Sequence, residues 1–215
     1  MELEKRLLED ETEYRAYQEE ERYFIEGYAL KFGKRSNPIM GQFVEVIDSR
    51  ALDNTDMSDV LGRINHGSDM ANVFARSGVN LDLVVDEVGL RYKAELDPES
   101  QRDMQLYRDM NRGLIKKSSF AFKLREEGGD KWEDRDGEIL RTLLDIEVIG
   151  DVAPVHKPAY DDTSVQVSQR SLESKEQFEK ELEAKSKKEL EESRKIKRPL
   201  DIDDKARFLL LKNRS

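Results

Sequence analysis

The chain has no cysteine among its 215 residues. That absence removes disulfides, thiolate nucleophiles and cysteine-ligated metals together, and it fits a reducing cytoplasm. Histidine is almost as scarce, with only His66 and His156. If acid–base chemistry near neutral pH is done here, these two form the short list. No His-x-x-x-His or glutamate-rich ligand spacing accompanies them, so neither metal nor other cofactor is expected. No apolar run approaches the roughly 18 residues of a membrane span. The first residues are acidic rather than basic-then-apolar, unlike a secretory leader. A positive surplus is missing too: the net charge of −10 argues against nonspecific binding to nucleic acid or anionic membrane.

What is present in excess is charge, at 39% of residues against a usual quarter. It collects at the two ends. Residues 1–22 carry nine acidic and four basic side chains, and 171–198 carry eight and nine. Three segments follow: a charged N-terminal arm (1–22), a globular domain (23–170) and a charged tail (171–215). The arm reads as a charged helix with a thin stripe of Leu3, Leu7 and Leu8. The tail reads as an extended, partly disordered helix, too sparse in apolar residues for a heptad seam. Pro199 breaks it, and Phe208-Leu209-Leu210-Leu211 forms a terminal apolar patch suited to docking.

Between the ends the apolar period is mostly two, the signature of strands. Strands are expected at 22–32, 42–47, 71–75, 81–86, 89–96, 113–124, 139–144 and 146–155, with a hairpin joining 81–86 to 89–96. A short helix is expected at 58–61. A longer one starts at Asp97 as N-cap with Pro98 in its first turn, buries Met104, Tyr107 and Met110, and stops at Gly113. Residues 125–137, with the lone Trp132, read as a mobile charged loop. The fold class is α+β and β-dominated: a mostly antiparallel barrel or sandwich of about seven strands with flanking helices, plus charged helical extensions at both ends.

Within Gly113–Leu124 alternate side chains leave opposite faces. Ser118, Phe120, Phe122 and Leu124 read as core-directed. Lys117, Ser119, Ala121 and Lys123 read as lining an open, solvent-facing groove. Ser119 is thus a candidate nucleophile, His66 at the edge of an element a candidate base, and Asp145, Glu147 and Asp151 candidate acids. Serine hydrolysis needs a base for the hydroxyl proton, a group that orients the imidazole, and amides for the oxyanion.

Four blocks in order resemble the tailed-bacteriophage prohead (capsid maturation) protease family, which is related in fold to the herpesvirus assemblins. They are Ile25-Glu26-Gly27-Tyr28-Ala29, then Ile64-Asn65-His66-Gly67, then the glycine-to-serine block from Gly113 to Phe122, and finally Asp151 to Tyr160. Together they span about two thirds of the chain. Departures are Gly67, Ala153 and His156, where aspartate, serine and threonine are common. The resemblance implies His66 as general base, Ser119 as nucleophile and Asp151 as third member, with Glu147 the runner-up and His156 a further alternative, since assemblins use a second histidine. It implies a serine endopeptidase inside the immature procapsid in the host cytoplasm. Its substrates would be the extensions of the major capsid protein, the scaffold, and itself. Assemblins dimerise, so a homo-oligomer fits; no nucleic acid or membrane partner is implied. The competing reading is a catalytically inactive scaffolding protein of the procapsid. Removal of the C-terminal tail by self-cleavage is a further expectation.

Overall fold

A computed structural model describes residues 3–8, 14–156 and 167–196, without the side chains of 194–196. Two compact units divide the chain, 1–168 and 169–215. The second is described by one helix, α2 (Gln169–Ile196). Its glutamates and lysines favour helix by propensity, and Lys175 pairs with Glu179 one turn on, at 2.7 Å. Pro199 and the Phe208–Leu211 patch lie outside the described residues. No helix among those described is long and apolar enough to cross a membrane.

The first unit is α+β and β-dominated, with twelve strands among the described residues. The strands are β1 (Glu4–Leu8), β2 (Arg15–Glu19), β3 (Arg22–Lys31), β4 (Val44–Ile47), β5 (Leu61–Arg63), β6 (Val73–Arg76), β7 (Leu81–Val85), β8 (Gly89–Leu96), β9 (Lys117–Leu124), β10 (Asp130–Arg135), β11 (Glu138–Leu143) and β12 (Ile146–Val155). They form three open sheets, ordered β1-β9-β12-β5-β6, β10-β11-β4 and β2-β3-β8-β7. Two pairings, β11 with β4 and β12 with β5, are parallel; the others between strands are antiparallel.

One apolar core joins the sheets. Ile25 and Leu30 from β3, Leu90 and Tyr92 from β8, Phe120 and Phe122 from β9, and Ile149 and Val152 from β12 all lie in it. Strict alternation in β8 buries Leu90, Tyr92, Ala94 and Leu96, as its period of two predicts. Phe120 and Phe122 stack with ring centroids 5.0 Å apart. Truncating either ring to alanine is a change that costs about 3–5 kcal/mol in comparable cores.

Helix α1 (Gln101–Asn111) starts three residues later than the proline suggested. Asp97 instead makes an Asx turn, accepting from the Glu99 amide at 2.9 Å. Ser100 caps the helix by accepting from the Asp103 amide. Its buried side chains are Asp103, Leu106 and Met110, with Met104 and Tyr107 packed at the margin. Gly113 does end it, at φ +73°.

Other expectations change. Residues 1–22 carry β1 and β2 in place of a charged helix. Helix propensity assumes that charged side chains face water; in β1 the alternating Glu4 and Arg6 face buried partners instead. The charged stretch after Arg125 is not a free loop, because β10 pairs with β11 over six residues and Trp132 packs edge-on against Phe43 at 5.0 Å. Residues 58–61 form a turn and the start of β5, not a helix.

Glu26 on β3 is 4% exposed and pairs with both Arg15 and Arg91. Burial would raise its pKa, but the two guanidiniums outweigh burial and hold it below the ordinary 4.5. A carboxylate with a lowered folded pKa stabilises the fold above its unfolded value, and that contribution disappears as pH falls through the folded value. Wild type is therefore expected to melt above Glu26→Gln at pH 7, with the two midpoints converging as pH falls through the lowered folded value. A gap that stays constant with pH in thermal scans would contradict this assignment.

Candidate active site

Three neighbouring elements of one sheet meet at the site. Strand β9 carries Ser119, β12 carries Asp151, and the turn after β5 carries His66. Antiparallel pairing of β9 with β12 sets Ser119 opposite Ala153 and Asp151 opposite Ala121. Parallel pairing of β12 with β5 then sets Asp151 beside Leu61. A register shift between Ile149 and Asp151 marks a β-bulge just before the acid, a device that re-aims a side chain.

The three side chains connect directly. His66 Nδ1 lies 2.6 Å from Asp151 Oδ1, and His66 Nε2 lies 2.6 Å from Ser119 Oγ. The carboxylate can only accept, so Nδ1 carries a proton and donates it. The His66 and Asp151 side chains are 9% and 8% exposed, so the pair acts where water screens little. Chemically, the arrangement presents a hydroxyl to an imidazole whose tautomer and orientation are held by a buried acid.

Backbone strain aims the imidazole. Asn65 and His66 both adopt left-handed conformations, at φ +51° and +55°. Two consecutive non-glycine residues there are costly and must be held by their surroundings. Asn65 supplies the anchor: its Oδ1 accepts from the His156 amide at 3.2 Å and from His156 Nδ1 at 3.0 Å. Thus the end of β12 grips the turn that presents His66. Gly67 follows, and a Cβ there would sit 2.3 Å from the Asn72 side chain, so Asn72 fills the space that an aspartate would occupy.

The other candidates sit elsewhere. Glu147 is 2.6 Å from Lys123, Asp145 is 2.9 Å from Arg125, and His156 is engaged with Asn65. None of the three is hydrogen-bonded to His66. Ser118 is fully buried beside the hydroxyls of Tyr14 and Tyr92. The open groove expected on the Ser119 face is corrected: Ser119 is 1% exposed and Ala121 is 0%. The pleat assigns a side chain to a face but says nothing of what covers it, and here β9 is an interior strand with β12 on one side and β1 on the other.

Strand β1 is the part of the site that sequence reasoning missed. It runs antiparallel to β9 with Leu7 opposite Ser119. The Ser119 hydroxyl donates to the Arg6 carbonyl at 2.7 Å. The side chains of Glu4 and Arg6 enter a buried charge network. Arg6 Nε donates to Glu45 Oε1 at 2.7 Å, and Arg141 donates to Glu4 at 2.9 Å, to Glu45 at 3.0 Å and to Asp130 at 2.8 Å. Burial disfavours the Arg141 charge, but Glu45, Glu4 and Asp130 outweigh it and push its pKa further up. No sequence signal pointed to the Arg6 contact, because its acceptor is a backbone carbonyl that every residue possesses.

Among the described residues no group of three or more His, Asp or Glu side chains is arranged to hold a metal ion. A family model described as caudovirus prohead serine protease matches residues 10–178. A solved structure of the capsid assembly protease gp21 of bacteriophage T4 is similar at 13% identity and a TM-score of 0.40, covering 72% of this chain and 99% of that one. No curated protein matches the sequence.

Proposed function

The chain belongs to the caudovirus prohead serine protease family, a serine protease of capsid maturation, and on that basis we propose that Ser119, His66 and Asp151 are its catalytic triad. The observation that carries the assignment is the single imidazole bridging a serine hydroxyl and a buried carboxylate, at 2.6 Å on each side. Ser119 Oγ attacks the scissile carbonyl carbon while His66 Nε2 takes the hydroxyl proton. His66 then gives that proton to the leaving amine, and an acyl-enzyme remains. Water, deprotonated by the same nitrogen, releases the acid and restores the serine. Asp151 stays ionised throughout and holds the Nδ1 proton, which keeps Nε2 facing the nucleophile. His156 and Asn65 are positioning residues that hold the strained turn.

The substrates in this reading are the extensions of the major capsid protein, the scaffold and the protease itself, within the immature procapsid. A connected Ser–His–Asp set supports activity over the reading of an inactive scaffold, since a buried acid and strained histidine would otherwise be retained at a cost without use. The test is intact mass spectrometry of wild type and Ser119→Ala after co-expression with the capsid protein. Serine-dependent trimming of either chain is expected; identical masses in both backgrounds would sink the proposal.

A further inference from the structure

We propose that the groove along β9 now filled by β1 is the substrate channel, that Glu45 and Arg141 are its specificity-determining charges, and that β1 is a cis-bound occupant that restrains the enzyme. This rests on Ser119 being the nucleophile. Adding an extended segment to a sheet edge is a general mode of peptide recognition, with ladder hydrogen bonds for affinity and alternate side chains for selection. Strand β1 has that form: five residues, at the sheet edge, paired only to the serine strand. It also lies ahead of the family match, which begins at residue 10.

The hydroxyl of Ser119 has one proton and two groups within reach of it. The Arg6 carbonyl at 2.7 Å and His66 Nε2 at 2.6 Å compete for it, so β1 draws the proton away from the base. The contact therefore describes a resting nucleophile, covered by β1. Selection comes from the other face of β1, where Glu4 meets Arg141 and Arg6 meets Glu45. Arg141 keeps Glu45 and Asp130 as partners without β1, so the channel charges remain paired when β1 leaves. Beside β1 a cavity lined by Arg6, Leu7, Leu8, Lys34, Glu45 and Phe120 opens against the same charges. The substrate class this describes is an extended peptide with a carboxylate and, two positions on, a guanidinium: Glu-Xaa-Arg.

The test uses the full-length chain and keeps Glu45 and Arg141 unchanged. Wild type, Arg6→Gln and the double variant Glu4→Lys/Arg6→Glu are labelled with a fluorophosphonate, and modification at Ser119 is followed by intact mass. Labelling is expected to be at least about tenfold faster in the double variant and intermediate in Arg6→Gln, as the covered population falls. A fluorescent peptide of residues 1–10 should bind the double variant by anisotropy and return its labelling to the wild-type rate. The same peptide with Glu4→Lys and Arg6→Glu should do neither. Equal labelling of all folded forms overturns the proposal, as does equal binding of both peptides. Should circular dichroism show the double variant unfolded, an unchanged rate in Arg6→Gln is by itself decisive against. Peptide binding with no labelling of Ser119 in any form would keep the channel and remove Ser119 as nucleophile.

Discussion

Ser119→Ala is expected to lower peptide hydrolysis roughly 10⁴–10⁶-fold while leaving the fold nearly intact. The two halves of this expectation have separate causes. In the proposed mechanism Ser119 Oγ is the atom that forms the new covalent bond, so no neighbouring group replaces it. Structurally the substitution removes one hydroxyl whose donated bond to the Arg6 carbonyl contributes about 0.5–1.5 kcal/mol. His66→Ala should cost a similar factor. The double variant Ser119→Ala/His66→Ala should be little worse than either alone, because the two groups act as one unit. Single-turnover assays on the capsid precursor measure both. Near-wild-type cleavage by Ser119→Ala, or strictly multiplicative losses in the double variant, would remove the serine from the mechanism.

Asp151→Asn should reduce kcat about 10³–10⁴-fold, because an amide nitrogen facing Nδ1 favours the wrong imidazole tautomer. The substitution is nearly isosteric at a 6% exposed site, which limits the structural disturbance. Glu147→Gln is expected to stay within about tenfold of wild type, since that carboxylate is 2.6 Å from Lys123 and not bonded to the imidazole. His156→Ala should fall between, because its bonds to Asn65 hold the turn that aims His66. The ranking discriminates among the two acids and one histidine considered for the third position. A larger loss in Glu147→Gln than in Asp151→Asn would reassign it.

How far the fold was legible depended on whether local pattern and final environment agreed. The β7–β8 hairpin was readable because its turn residues and the alternation of Leu90, Tyr92, Ala94 and Leu96 point the same way. The end of α1 was readable because Gly113 takes a left-handed conformation that other residues resist. Its start was misplaced, since Asp97 and Ser100 are both good caps and three-residue spacing alone does not choose between them. Strand β10 was taken for a loop because five of its six side chains are charged and none is fully buried, so no apolar period marks it, and its ladder to β11 is a non-local property.

The site divides in the same manner. His66 and Ser119 were candidates from the chain of letters because few side chains can act as base or nucleophile, while Asp151 was singled out from three acids only by the resemblance of its surrounding block to a family. That the three meet is a matter of register: β9 against β12, β12 against β5, and a bulge before Asp151. Register depends on contacts far apart in sequence, which no local window contains. The role of β1 was invisible for a stronger reason. Its glutamate and arginine are ordinary surface residues until Arg141 and Glu45, more than 35 positions away, give them buried counter-charges. The serine it covers was read as open for want of that one strand. Composition limited which side chains were available for chemistry; packing decided which of them meet and what lies across them.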